Sequence, residues 1–417
     1  MNFRTVKRVA LCAAALVVAG CSTSSDTQDS TVTSEPVSTI NWLPCGVIEC
    51  GSLTVQTDHV TSHSGTMSLS LFRRVATVGE SPRTLLLLPD REFGGNAREL
   101  VEQAPLTLGS TTRGYNIISV APRGSEFSAM LAGTNHLVST LDGVDDLEAA
   151  RAALNVKKVS VIGWGTGATV AAAWLMQKPS AIDVAILDSP TDPSTSLARQ
   201  AARHIDATTL GVETAMRWCA SHLSCPMNAN VAKELNKLKT AVRLNRVAAG
   251  ITFETVNRAA FNSLPNGQPQ QLFEAVADAI DGTGALLLAL AGEAPTTARA
   301  YPRCANVSPT TAATIAAAHA AVVPRKFTIG SEAELYAMCA SLPAAARPLG
   351  TVKPDSDAKD ARVVVTIARG DQITAPYVAR TMAKRMSWTY LSVYANRHLV
   401  VGFDKAASDA AMEFIGA

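Results

Sequence analysis

The sequence contains few charged and few aromatic residues. Of its 417 residues, 17% are Asp, Glu, Lys or Arg and 5% are Phe, Trp or Tyr. The 37 basic and 35 acidic residues leave a formal net charge of +2, and the basic residues do not gather into a stripe, so no nucleic-acid partner is expected. Hydrophobic residues make up 47% and no long block of like charge is present, so the chain can bury a core.

The sequence also lacks an apolar run long enough to cross a membrane as a helix. One run could engage a membrane, Val9–Gly20, and it is shorter than the roughly 20 residues that a spanning helix needs. Arg4, Lys7 and Arg8 precede it, and small residues end it. This order is typical of a secretory signal, which we assign to residues 1–20. Its removal takes the formal charge from +2 to −1.

The end of the signal, Val18–Cys21, resembles the lipobox of bacterial lipoproteins. The resemblance implies cleavage before Cys21, acylation of that cysteine, and anchoring at the extracytoplasmic face of the cell membrane. The alternative is a secreted protein with a chance cysteine near the cut. Residues 21–38 are rich in Ser and Thr, which predicts a flexible tether of roughly 20 to 25 Å.

The eight cysteines support an exported protein. Cys12 leaves with the signal and Cys21 is assigned to the lipid, so an even number remains for disulfides in an oxidising compartment. Six cysteines allow 15 connectivities. Short separations favour two pairs and leave the third: Cys45 with Cys50, Cys219 with Cys225, and Cys304 with Cys339. A zinc site is the weaker interpretation, because no His lies at a finger-like spacing from a cysteine pair. We expect neither metal nor cofactor.

Strand-like and helix-like segments alternate along much of the chain, which predicts an α/β fold with a mostly parallel, eight-stranded sheet. The expected strands are Ser52–Thr57, Met67–Val75, Thr84–Leu88, Tyr115–Val120, Lys158–Gly163, Ile182–Leu187, Arg362–Ala368 and Thr389–Tyr394. The expected helices between them are Val144–Leu154, Gly167–Gln177 and Asp404–Ile415.

Residues 193–355 differ from the rest, because Ala-rich, helix-favouring sequence replaces the strands. We assign residues 39–192 and 356–417 to one core, and residues 193–355 to a helical lid inserted between its sixth and seventh strands. The helices expected in the lid are Ser196–Ala207, Val212–Ser221, Ala229–Ala249, Gln270–Ala279, Gly284–Gly292 and Ala312–Ala321.

Residues 159–168, VSVIGWGTGA, predict a strand, a sharp turn and a helix. Gly163 and Gly167 satisfy the small-residue requirement of a nucleophile elbow, G-x-S-x-G, in which strand and helix approach closely. The central serine is replaced by Gly165, so the attacking hydroxyl is missing. Thr166 should point elsewhere and is a poor substitute. The alternative is a generic Gly-rich loop around phosphate, although GxGxG is not the dinucleotide fingerprint GxGxxG.

The elbow resembles that of α/β-hydrolases, and residues 40–417 resemble the secreted tripeptidyl aminopeptidase-like branch, including its TAP-like C-terminal part. The motifs that carry the resemblance are Trp42–Cys45, Pro122–Gly124, Asp145–Arg151, Trp218–Cys219, Cys225–Pro226, Ala368–Pro376 and Asn396–His398. In that family the acid of the triad follows the seventh strand and the histidine follows the eighth. The resemblance therefore implies that Asp371 and His398 are the remnant of a triad whose nucleophile position is Gly165.

A second catalytic element also departs from the family. The resemblance implies a glycine-rich loop after the third strand whose amides form the oxyanion hole, but residues 89–95 read PDREFGG. The family's D-P-R-G is Ala121–Gly124 here. Bulk and charge thus replace glycine where close backbone approach is needed, and we expect a damaged oxyanion hole.

These departures predict a pseudoenzyme that binds a peptide, an acyl ligand or an envelope protein and lacks Ser-dependent hydrolysis. The alternative is an active peptidase or esterase, with a non-standard nucleophile or with water activated by His398 and oriented by Asp371. A third possibility is a structural envelope protein whose cleft is closed by residues 91–93. Gly165 could also be an engineered change.

Overall fold

The computed structural model describes residues 39–417, apart from residues 58, 60–64, 81, 94, 126, 129–138, 228, 293–301, 323–329, 346 and 348. The predicted signal, the tether and Cys21 lie outside the described residues. Within the part that is described, no helix has both the length and the apolar character needed to cross a membrane.

One mixed sheet runs through the described part of the chain and contains nine strands. They are β1 (Leu43–Cys45), β2 (Ile48–Gln56), β3 (Thr66–Arg74), β4 (Arg83–Leu88), β5 (Tyr115–Val120), β6 (Val159–Trp164), β7 (Ile182–Asp188), β8 (Arg362–Ala368) and β9 (Thr389–Val393). Their order is β1-β2-β3-β5-β4-β6-β7-β8-β9. The pairs from β1 to β3 and from β3 to β5 are antiparallel, and all later pairs are parallel.

All eight predicted strands are present, and β1 is added at the edge. This strand has three residues, two of them exposed, so it carries no periodic pattern that sequence could reveal. It forms a hairpin with β2 that the Cys45–Cys50 disulfide closes. The central strands are apolar on both sides because helices cover both faces of the sheet.

Twelve α-helices lie in the described residues. They are α1 (Ala97–Thr107), α2 (Thr140–Ala153), α3 (Thr166–Gln177), α4 (Leu197–Ser221), α5 (Val231–Arg243), α6 (Phe253–Ser263), α7 (Pro269–Ile280), α8 (Ala285–Ala291), α9 (Pro309–Val322), α10 (Gly330–Ser341), α11 (Pro376–Met386) and α12 (Lys405–Gly416). Helices α4 to α10 all lie between β7 and β8, and we call this helical segment the insertion.

The insertion differs from the prediction in one helix that is continuous rather than divided and in two helices that were not expected. The two helices predicted around residues 196–221 form the single helix α4. The helix continues through Gly211, where a Cβ would lie 2.4 Å from the side chain of Gln372. Helices α6 and α10, together with α1 and α11 in the core, were not expected from the sequence. All three predicted disulfides are present, with Cys219–Cys225 and Cys304–Cys339 inside the insertion.

Candidate active site

The turn between β6 and α3 has the predicted elbow form. It is centred on Gly165, whose φ of 49° and ψ of −111° place it where side-chain-bearing residues are strained. The Gly165 N–H donates to the carbonyl of Asp188 on neighbouring β7, at 2.8 Å. Glycine therefore preserves a conformation that would strain a serine, while removing the hydroxyl group.

Two further glycines of the turn are required by close backbone contacts. A Cβ on Gly163 would lie 2.7 to 2.8 Å from backbone atoms of Gly167 and Ala168. A Cβ on Gly167 would collide with the carbonyl oxygen of Leu88 at the end of β4. These contacts are the steric cause expected of an elbow, so the turn is more specific than a generic glycine-rich loop.

Asp371 and His398 are brought together as predicted. The Nδ1 atom of His398 lies 3.0 Å from both carboxyl oxygens of Asp371. The N–H groups of Ile373 and Thr374 also donate to Asp371, which fixes the orientation of its carboxyl group. Both side chains are buried, with 0% of Asp371 and 2% of His398 exposed.

The loop that carries His398 is held at several points. Its backbone N–H donates to the carbonyl of Pro265 in the insertion, and its carbonyl accepts a hydrogen bond from the Ser189 hydroxyl. The N–H groups of residues 400–401 both donate to Oδ2 of Asp188. Burial raises the pKa of Asp188 to about 7, although these N–H bonds oppose the rise. The imidazole is therefore positioned by contacts from both the core and the insertion.

The residue that sequence reasoning missed is Asp90. An ideal Cβ on Gly165 would lie 2.5 to 2.8 Å from the three carboxyl atoms of Asp90, so this carboxylate occupies the space of a nucleophile side chain. Its Oδ2 atom lies 3.5 Å from Nε2 of His398. The sequence contained one signal, an acid two residues after a strand that ends beside the elbow, but we interpreted it only as damage to the oxyanion loop.

The amides expected in an oxyanion hole bind the Asp90 carboxylate. Its Oδ1 atom accepts hydrogen bonds from the N–H of Thr166 at 3.3 Å and from the N–H of Glu92 at 3.1 Å. Thr166 directly follows the elbow centre, where an oxyanion-hole amide should lie. The Thr166 hydroxyl also donates to Oδ1, at 3.0 Å, so it faces the site rather than pointing elsewhere. The N–H donors are therefore present, but they bind the Asp90 carboxylate of the same protein rather than a ligand.

The imidazole of His398 lies between two carboxylates, and their charges control its ionisation. Burial by itself lowers the pKa of His398, but the charge and hydrogen bond of Asp371, together with those of Asp90, raise it to about 10. Burial by itself raises the pKa of Asp90, yet His398 and the N–H groups of Thr166 and Glu92 hold it below its usual value. The two flanking carboxylates therefore favour the protonated form of His398, and the imidazolium favours the ionised form of Asp90, which opposes the action of His398 as a general base.

A cleft opens above this group and is bounded by both the core and the insertion. Asp90, Gly165, Thr166 and His398 line its floor, and residues from α4, α9 and α10 line its walls. Residues 91–93, predicted to close the cleft in one alternative, make defined contacts at its rim. Glu92 forms a buried ion pair with Arg303 at 2.6 Å, and Phe93 lies with its ring centroid 5.3 Å from that of His398.

Similarity to known sequences supports a hydrolase relationship. The chain is 27% identical over 177 residues to the serine protease Hip1 of Mycobacterium tuberculosis and of Mycobacterium bovis. The match covers 38% of this chain and 34% of that protein, so the chain matches about a third of the length of these relatives.

Similar solved structures have low sequence identity. An α/β-hydrolase from Novosphingobium aromaticivorans is 16% identical with a TM-score of 0.45, over 90% of this chain and 100% of that one. Proline iminopeptidase from Mycobacterium smegmatis is 13% identical with a TM-score of 0.44, over 90% and 97%. The family model described as alpha/beta hydrolase fold matches residues 94–404, which is most of the chain. The chain therefore belongs to the α/β-hydrolase fold family.

Proposed function

We propose that this chain is a lipid-anchored envelope protein that binds a peptide or acyl ligand in the cleft above His398 and does not perform Ser-dependent hydrolysis. With respect to serine chemistry it is a pseudoenzyme. The observation that carries the proposal is the position of the Asp90 carboxylate, which lies where a side chain on residue 165 would lie.

Three requirements of serine-type acyl transfer are unmet at this site. Gly165 supplies no hydroxyl group, His398 holds its proton at neutral pH, and Oδ1 of Asp90 engages the Thr166 amide that would stabilise an oxyanion. Loss of the nucleophile alone removes on the order of 10⁶ in turnover from a triad hydrolase. The raised pKa of His398 and the engagement of the Thr166 amide should lower the rate of acyl transfer further.

The class of ligand and the location rest on separate observations. The cleft lies between the core and the insertion, a common position for ligand sites in this fold class. The partial similarity to a serine protease supports a peptide as the ligand. The lipobox-like sequence before Cys21 supports acylation and anchoring at the extracytoplasmic face of the membrane.

Labelling by a fluorophosphonate, combined with turnover assays on peptide and ester substrates, tests the loss of serine chemistry. We expect no covalent label and no turnover above that of heat-denatured protein. The retained His398–Asp371 pair favours the alternative, an active hydrolase that activates water. Peptide or ester turnover that is abolished in His398→Ala would establish that alternative and refute the proposal.

Thermal unfolding in the presence of ligands tests the binding function. Peptides and fatty acids of several lengths should include at least one that raises the Tm in proportion to its concentration. Leu197→Trp, which enlarges a side chain of the cleft wall, should abolish that rise. If no peptide or acyl compound raises the Tm, the binding proposal fails and a purely structural role is favoured.

A further inference from the structure

We infer that a second groove, separate from the cleft above His398, binds an oligosaccharide that carries a carboxylate group. The groove lies between the end of α4, the first turns of α7 and the loop after β9. Its volume is about 700 Å³, within the roughly 300 to 1,000 Å³ of ligand sites. None of the described residues that line it also lines the cleft, so the inference goes beyond the proposed function.

Two aromatic side chains line the groove, and each ring is supported by a neighbouring side chain. The ring of Trp218 stacks on that of His222, with centroids 4.5 Å apart and an angle of 22° between the planes. The guanidinium group of Arg369 lies 3.7 Å from the ring centroid of Tyr394, yet 82% of Tyr394 is exposed. The face of an aromatic ring carries partial negative charge and attracts the weakly positive C–H groups of a sugar ring. These supported rings therefore suit stacking against sugars.

Side-chain amides supply most of the polar groups of the groove. They belong to Gln268, Gln270, Gln271 and Asn396, and the three glutamines are exposed. An amide both donates and accepts hydrogen bonds, which matches the hydroxyl groups of a sugar. The Gln270 amide donates to the carboxylate of Glu274 at 2.9 Å, and this contact orients the amide at the groove. The polar lining therefore favours a ligand with many hydroxyl groups.

The groove also contains a cation, Arg397, that forms no ion pair with the described residues. Its guanidinium group lies 4.0 Å from the ring centroid of Phe403, and its Nε atom is buried without a hydrogen-bond acceptor among them. Asp188 and Asp404 act on it only electrostatically. A ligand carboxylate can accept two parallel hydrogen bonds from a guanidinium group. Arg397 is therefore the group that would recognise the negative charge of the ligand.

These three features together select one class of ligand. A sugar ring has an apolar face for the aromatic rings and hydroxyl groups for the amides, and a uronic acid adds the carboxylate for Arg397. A purely apolar ligand would displace water from the amides without replacing its hydrogen bonds. A neutral sugar would leave Arg397 without a counter-ion, so it should bind more weakly than an acidic one.

Isothermal titration calorimetry on the full chain compares two hexasaccharides. One alternates glucuronic acid with N-acetylglucosamine, and the other contains N-acetylglucosamine alone, so the two match in length and differ in charge. We expect the acidic hexasaccharide to bind at least ~10-fold more tightly, which corresponds to one charge-assisted contact. No binding of the acidic hexasaccharide, or equal affinity for both, would overturn the inference.

Variants locate the binding site. Arg397→Gln should remove the preference for the acidic hexasaccharide, whereas Arg243→Gln makes the same change at an exposed position of α5 outside the groove and should retain it. Tyr394→Ala should weaken the binding of both hexasaccharides, because stacking does not depend on the carboxylate. Tyr394 is largely exposed, so this variant keeps the inference testable even if Arg397→Gln does not fold. Binding that is lost in Leu197→Trp but unchanged in Arg397→Gln and Tyr394→Ala would place the ligand in the cleft and refute the inference.

Discussion

The Oδ2 atom of Asp90 lies 3.5 Å from Nε2 of His398, in the place where a serine hydroxyl would meet the base of a hydrolase triad. Asp90 comes from the loop after β4, whereas the serine of this fold belongs to the elbow after β6. A neighbouring strand thus supplies a charged group to a position that the elbow leaves empty. The same contact adds to the effect of Asp371 in raising the pKa of the imidazole, so one side chain affects both the nucleophile position and the base.

Gly165→Ser alone should not restore a serine hydrolase. The new Cβ would lie 2.5 to 2.8 Å from the Asp90 carboxyl atoms, and the positive φ adds backbone strain. We expect a loss of about 1 to 3 kcal/mol in the free energy of unfolding and no fluorophosphonate label. Chemical denaturation and labelling measure the two effects.

Asp90→Gly combined with Gly165→Ser should gain some fluorophosphonate labelling, because it removes the colliding carboxylate and frees the Thr166 amide. The matched control is Asp90→Gly alone, which has no hydroxyl to label. Strong labelling of Gly165→Ser by itself would show that Asp90 does not occupy the nucleophile position.

The buried pair of Glu92 and Arg303 should be sensitive to loss of one partner. Only 4% and 7% of their side chains are exposed, so either single change leaves a buried charge without this partner. Arg303→Met should therefore lower the free energy of unfolding by about 3 to 5 kcal/mol. The double variant Glu92→Leu with Arg303→Met should recover most of that loss. A double variant that is less stable than either single one would contradict this account.

The ionisation of His398 makes stability depend on pH in the alkaline range. Its pKa is about 10 in the folded chain and 6.5 ordinarily, so its contribution is complete below about pH 6.5 and is lost as pH rises through about 10. Asp371 and Asp90 contact the imidazole, while Asp188 and His204 interact with it electrostatically. Urea unfolding at pH 7 and pH 10 should show a larger decrease for the unmodified chain than for His398→Gln. Equal decreases would be evidence against a protonated His398.

Local sequence patterns predicted much of the sheet, because the central strands are apolar runs. The pairing of Asp371 with His398 was implied by the resemblance to a hydrolase family, in which an acid and a histidine follow two successive strands. The steric requirement at Gly163 lies within one turn and could be interpreted from the sequence, whereas that at Gly167 comes from Leu88 at the end of β4. Two of the disulfides followed from short separations in the chain, and Cys304–Cys339 followed by elimination.

The role of Asp90 could not be predicted, because it depends on a contact between residues 75 positions apart. Gly165 and Asp90 meet only when β4 and β6 pair and the loop after β4 folds onto the elbow. The continuity of α4 was missed for a similar reason. The glycine at residue 211 is explained by its contact with Gln372 of a distant loop, where a Cβ would collide. Asp90 departs from the loop composition expected near an elbow, and Gly211 departs from helix propensity. Both residues are explained by packing between segments that are distant in the sequence.

The most direct test is a ¹⁵N NMR titration of the His398 side chain in the unmodified chain, in Asp90→Asn and in a control, Asp409→Asn, which makes the same chemical change at an exposed position of α12. The account predicts that both ring nitrogens of the unmodified chain and of the control stay protonated through pH 8. It also predicts that Asp90→Asn lowers the pKa of His398, because one of the two flanking carboxylates is removed. A neutral His398 at pH 7 in the unmodified chain, with a pKa that Asp90→Asn does not change, would contradict it.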